Sequence, residues 1–288
     1  MNYPPNHRFA AAGVGAVCLS LVVQNLGAGY AKHLFASVGV DGVIALRIGL
    51  SAVILLLIKR AWRQRPHRSQ LRTIVLYGLM LGAMNTLIYQ AFARIPMGVA
   101  VGIEVLGPLA VGALAGRRLA DALWSLLAFG ALLLLLPLGR AREHALDPIG
   151  VLCALGAAVA WALYIVAGKR ASHLPGVDAL TWGMVVAALL AVPVAVTVGG
   201  TAFVSPSLLL PGLVVAGLSG VLPYALEMWA MRRLTVSALG VVLSAAPAVS
   251  AVVGWLLLGE RLSISQAAAL AVIVLAMVGH TLSAARHT

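Results

Sequence analysis

Uncharged, predominantly apolar runs recur along the chain, and short segments between them carry most of the charge. Each run holds about 18 to 23 positions, the length that crosses roughly 30 Å of hydrocarbon at 1.5 Å per residue. The runs are rich in Ala, Leu, Val and Gly and lack the alternation of barrel strands. Inside lipid the backbone groups must satisfy one another, so each run predicts a helix. Helices are expected over 10–31, 42–58, 73–93, 97–115, 120–138, 148–168, 179–198, 207–230, 235–257 and 264–284, giving an all-α polytopic membrane protein with ten transmembrane helices. The least sharply bounded are 42–58, interrupted by Arg47, and the two runs divided only by a turn at Arg94, Ile95 and Pro96.

Composition removes the soluble alternative: 62% of residues are apolar and 10% charged, against roughly 45–50% and 25% in soluble domains. The formal charge of +12 would suit nucleic acid, but the basic residues sit in short loops, where they report topology instead. With the N-terminus cytoplasmic, the inner segments hold fourteen Lys and Arg, the outer loops hold five (Lys32, Arg94, Arg140, Arg142 and Arg261), and Arg47 is intramembrane. Both termini are therefore expected in the cytoplasm, as an even number of crossings requires. The segment Met1 to Phe9 is short and polar, and many runs follow the first, which reads as a membrane helix rather than a cleaved signal. Cys18 and Cys153 lie within apolar runs without metal-site spacing and read as packing residues.

Two stretches recur, the first at a shift of 139 residues and the second at 143, so that the second copy holds about four more residues. The segment from Arg94 to Pro108-Leu109-Ala110 is similar to that from Arg233 to Pro247-Ala248-Val249, a shift of 139 residues shared by Gly78 and Gly217. Gly116 to Leu119 is similar to Gly259 to Leu262, and Lys32 and Lys169 end the first helix of each half. The expected organisation is two five-helix repeats, 1–140 and 141–288. Because five is odd, the repeats insert with opposite orientation, a design of secondary transporters that carry a substrate site near the midplane.

Candidate chemistry lies in the few polar groups inside the runs. Glu104 stands in the middle of 97–115, where a charge costs roughly 2.5–3.5 kcal/mol on insertion scales. It could bind a substrate ammonium or a coupling proton, or form a structural ion pair. Arg47 is the basic residue deep in a run, at a similar depth from the same face; it could pair with Glu104, hold a substrate carboxylate, or snorkel outward. Glu227 lies five residues before Arg232 and reads as either an interfacial salt bridge or a site residue. Pro108 and Pro247 break matching helices, either to free carbonyls in a cavity or simply to kink them. Asn85, Tyr89, Trp161, Tyr164 and Tyr224 supply polar or aromatic lining, or packing and interface anchoring. Lys32 and Lys169 can snorkel, and His280 reads as interfacial.

The sequence holds no Gly-Lys-Ser/Thr phosphate loop, and the apolar runs leave no segment long enough for a nucleotide domain, so energy would come from an ion or substrate gradient. His-Glu-x-x-His and Gly-x-Ser-x-Gly are also missing, which leaves an enzyme unsupported and no cofactor or metal implied.

The runs GAGYAKHLF, GVIALRIGL, YGLMLGAMNTLIYQ, GVAVGIEVLGPLAVGAL, AAVAWALYIVAGKRA and VLPYALEMWAMRRL resemble the threonine/homoserine exporters of the drug/metabolite transporter superfamily, whose duplicated unit is the EamA domain. The resemblance runs from about residue 24 to 284 and is most specific at Glu104 to Pro108 and Leu222 to Met228. It implies ten helices in the cell inner membrane, alternating inward-facing and outward-facing states, and export of small neutral amino acids by proton antiport. The partners it implies are the amino acid, protons and membrane lipid. One departure stands out: relatives usually carry an acid before the proline of 235–257, where this chain has Ala246. A broader metabolite or drug exporter of the same fold, or a passive membrane channel, are the alternatives.

Overall fold

The computed structural model describes residues 7–63, 65–115, 123–124, 126–127, 130–131, 146–171, 174, 178–231, 242–243 and 245–285. Among them the regular structure is helical: α1 (His7–His33), α2 (Phe35–Lys59), α3 (Arg68–Phe92), α4 (Met97–Glu104), α5 (Leu106–Ala115), α6 (Pro148–Ala171), α7 (Ala179–Gly199), α8 (Pro206–Ala216), a π turn (Gly217–Val221), α9 (Leu222–Met231), α10 (Ala246–Leu258) and α11 (Ile264–Ala285). Among the described residues six stretches are long and apolar enough to cross a membrane, namely Ala12–His33, Phe35–Lys59, Arg68–Phe92, Pro148–Gly168, Ala179–Gly199 and Pro206–Glu227. Leu57, Leu152, Leu189, Leu210 and Trp255 are each more than 60% exposed. Apolar exposure of that extent suits lipid rather than water as the surrounding solvent.

Most expected helices are present, and the departures have local causes. The link between 31 and 42 is not open loop. A helical turn, Phe35–Val38, precedes a kink at Gly39, whose φ of 70° is a left-handed value that glycine adopts without strain. The helix expected over 97–115 is divided at Val105. Pro108 lacks an N–H and its ring crowds the carbonyl four residues back, that of Glu104, so the ladder parts there. Within 207–230 the α-helical hydrogen bonds shift to a π turn at Gly217–Val221, where the Leu222 N–H donates to the Gly217 carbonyl. Pro247 begins α10 at its first turn, where a missing N–H costs little. Much of the helix expected over 120–138 and the start of that over 235–257 lie outside the described residues.

Packing interleaves the early and late parts of the chain. The α3 helix lies against α6 and α7, α2 against α7, α1 against α9, and α4 against α10. Helix ends gather at two opposite faces. At one, Lys59 pairs with Asp178 at 3.9 Å, joining the end of α2 to the start of α7. At the other, Arg94 pairs with Asp147 at 3.9 Å and Lys32 with Glu260 at 2.5 Å.

Candidate functional site

Arg47 follows the Gly39 kink of α2 by eight residues, about 12 Å along the helix at 1.5 Å per residue. Its side chain is only 4% exposed, so it does not snorkel. Nε donates to Ser219 Oγ at 2.8 Å, Nη1 donates to Asn85 Oδ1, and Nη2 donates to the Ser219 backbone carbonyl at 2.6 Å. The guanidinium also lies 4.8 Å from the ring centre of Tyr89, a cation–π contact.

The chain prepares that carbonyl. Ser219 sits in the π turn, and Pro223, four residues on, has no N–H with which to close a helical bond to it. The freed oxygen accepts from Arg47 instead. Gly220 lets α2 come close, because a side chain there would run into Ser51, whose Oγ donates to the Ala216 carbonyl at 3.2 Å. Asn85 is fixed by donating to the Leu81 carbonyl at 2.7 Å and to Tyr224 Oη at 3.2 Å. Arg47, Asn85, Tyr89 and Tyr224, all read from sequence as candidates, thus form one buried cluster completed by Ser219.

Among the described residues Arg47 has no anionic partner. The ion pairs among them are Lys32–Glu260, Lys59–Asp178 and Arg94–Asp147. Pairing with Glu104, one of the three readings open for Arg47, is not formed. Neutral oxygens already hold the guanidinium, and Glu104 sits at the last turn of α4, just before the Val105 break. Glu104 is 8% exposed and no described residue donates to its carboxylate, although the field of Arg47 reaches it. Guanidinium has five N–H groups, and three are bonded here. The cluster is therefore a buried cation with donors to spare, beside an acid that has not neutralised it.

The remaining candidates surround this centre. Tyr164 stacks on Tyr77 at 5.0 Å between ring centres, and the Tyr77 hydroxyl donates to that of Tyr164 at 3.2 Å. Trp161 is partly buried against the same core. Glu227 accepts from Ser20 Oγ at 3.0 Å, binding α9 to α1; Arg232 lies outside the described residues. Lys32, expected to snorkel, is instead paired with Glu260, whose second oxygen accepts the Met97 N–H at 2.8 Å and so caps α4. The side chains of Lys169 and His280 are not among those described. Between Arg47, Ser51, Asn85, Met184, Gly220 and Tyr224 runs a crevice too tight to hold a water molecule. A substrate would have to part the helices to enter.

Comparison with known proteins matches residues 148–282 to the EamA-like transporter family. The threonine/homoserine exporter RhtA of Salmonella typhimurium strain SL1344 is 42% identical over 260 residues, covering 90% of this chain and 88% of the relative. RhtA of Escherichia coli K12 is 42% identical over 257 residues, covering 89% and 87%. A solved crystal structure with 21% identity aligns over 94% of this chain and 98% of its own at a TM-score of 0.61, which shows a shared fold.

Proposed function

This chain belongs to the threonine/homoserine exporter family of EamA-type transporters, and from that premise we propose that it exports a small neutral amino acid across the inner membrane by proton antiport. It is a multi-pass membrane transporter and not an enzyme. The observation that carries the substrate reading is the unneutralised Arg47. A cation in so buried a site is costly unless paired, and the carboxylate of an amino acid supplies the missing charge through the two N–H groups left over. Glu104 then faces the other end of the zwitterion and takes either the ammonium or the coupling proton.

Ten helices in two inverted repeats, 1–140 and 141–288, both termini cytoplasmic, complete the reading. Supporting it are the 139-residue offset, the family match over 148–282 and the placement of Lys59, Arg60, Arg63, Arg68 and Arg72 at one face. Rocking one repeat against the other would open the tight crevice to alternate sides.

The test is reconstitution into liposomes with a panel of labelled amino acids and imposed pH gradients. Saturable counterflow of threonine or homoserine, accelerated by a proton gradient, is the expected result. Flux that neither saturates nor responds to a gradient indicates a channel, and preference for an unrelated metabolite overturns the substrate.

A further inference from the structure

Away from the Arg47 cluster, a cavity of about 260 Å³ opens between the start of α3 and the end of α6, lined by Arg72, Thr73, Leu76, Ala167 and Arg170. Two guanidinium side chains converge on it, each exposed, and neither has a hydrogen bond or an ion-pair partner among the described residues. Lys59 at the same face is already engaged by Asp178. The cavity therefore presents a double positive charge and the Thr73 hydroxyl without an internal anion. Its volume is several times the roughly 30 Å³ that one water occupies, enough for a phosphate with ester substituents.

The surface below the cavity is apolar. On α6, Val159, Leu163 and Val166 are exposed and precede Arg170 by eleven, seven and four residues, helical spacings that put them on one stripe with it. On α3, Val75 and Leu76 are exposed three and four residues after Arg72. A charged head site thus continues into an apolar track running towards the membrane interior.

We propose that Arg72 and Arg170 bind the phosphate headgroup of an anionic phospholipid, whose acyl chain lies along Val166, Leu163 and Val159. The inference rests on the orientation proposed above, which puts the cavity in the cytoplasmic leaflet, and is independent of the transported substrate. Basic pockets between membrane helices on that side suit anionic headgroups. A free phosphate ester would use the two arginines but not the stripe.

Native mass spectrometry of the full-length protein, purified in detergent and titrated with phosphatidylglycerol, phosphatidylcholine or glycerol 1-phosphate, tests this without a transport assay. Phosphatidylglycerol should bind, and the other two should neither bind comparably nor displace it. R72Q/R170Q should weaken phosphatidylglycerol binding roughly thirtyfold, and each single variant about fivefold. R72K/R170K, which keeps both charges, and R63Q/R65Q, at the same face outside the cavity, should bind nearly as the wild type does. Equal binding by R72Q/R170Q and wild type, or an equal loss in R63Q/R65Q, overturns the site. Displacement by glycerol 1-phosphate at matching concentration overturns the lipid in favour of a soluble phosphate ester.

Discussion

Asn85 Nδ2 donates to Tyr224 Oη at 3.2 Å across 139 positions of sequence, the offset at which the segment leading to Pro108 aligns with that leading to Pro247. Residues exchanged by a two-fold operation meet each other beside its axis. The bond supports an axis between the proposed repeats that passes through the cluster holding Arg47. An amide on one side and a phenol on the other leave the site unsymmetrical, able to receive a ligand with two different ends.

Asn85→Ala removes the acceptor of Arg47 Nη1 and the donor to Tyr224 together. A hydrogen bond to a charged group contributes roughly 1.5–3 kcal/mol, so thermal melts in detergent should show a clear loss of stability and counterflow should collapse. Tyr224→Phe removes only the neutral partner, worth about 1 kcal/mol, and should melt closer to wild type while raising the KM for substrate. Equal melts for Asn85→Ala and wild type contradict the role given to Arg47 Nη1.

Much of this cluster was legible in the sequence because polar residues inside apolar runs are costly and must have partners. Arg47, Asn85, Tyr89 and Tyr224 stand out on that ground alone. Ser219 does not, since serine costs little in a helix. The signal that finds it is Pro223, whose missing N–H frees the carbonyl four residues back, by the same logic that divides α4 from α5 at Pro108. Depth misled in the case of Arg47 and Glu104, because equal depth on two helices fixes neither the direction each side chain takes nor the nearer neutral oxygens that satisfy it. Glu260 stands between two apolar runs, where a charge costs little and so gives no such signal. Its pairing with Lys32 and capping of α4 depend on which helix ends adjoin, and that is a property of the packed bundle.

The Lys32–Glu260 pair ties α1 to the turn after α10, while Glu260 also holds the first N–H of α4. Both side chains are partly shielded, with exposures of 22% and 13%. A double-mutant cycle on Lys32→Met and Glu260→Gln should return a coupling of about 0.5–3 kcal/mol in thermal stability. Each variant should also speed modification of a cysteine placed deeper in the crevice by an outside reagent. Additive losses with unchanged labelling show that the pair is not a latch.

Orientation can be read from a single cysteine. The exposed Arg63, in the short helical turn Ala61–Arg63 after α2, should be protected in intact cells when replaced by Cys in a chain lacking Cys18 and Cys153. It should react once the cells are opened. Modification by an impermeant reagent before opening reverses the assignment of the two faces.

Glu104 is the sharpest test of coupling. It is buried, no described residue donates to its carboxylate, and it lies within the field of Arg47 without pairing to it. An unpaired carboxylate in a low-dielectric site is expensive, and either a proton or a substrate ammonium removes that expense. A group that alternates between those two occupants is what proton-for-substrate exchange needs, because occupation by one excludes the other. Glu104→Gln keeps the shape but can neither ionise nor carry a coupling proton. It should still exchange substrate across liposomes at equal concentration, with weakened affinity if the ammonium binds here. It should fail to concentrate substrate when a pH gradient is imposed. Glu104→Asp, which restores the titratable group on a shorter stem, should recover part of the coupled flux. If the Gln variant still drives uphill transport with the wild-type dependence on pH, the proton passes elsewhere, and Glu227, bonded to Ser20 at 3.0 Å, is the next carboxyl to neutralise.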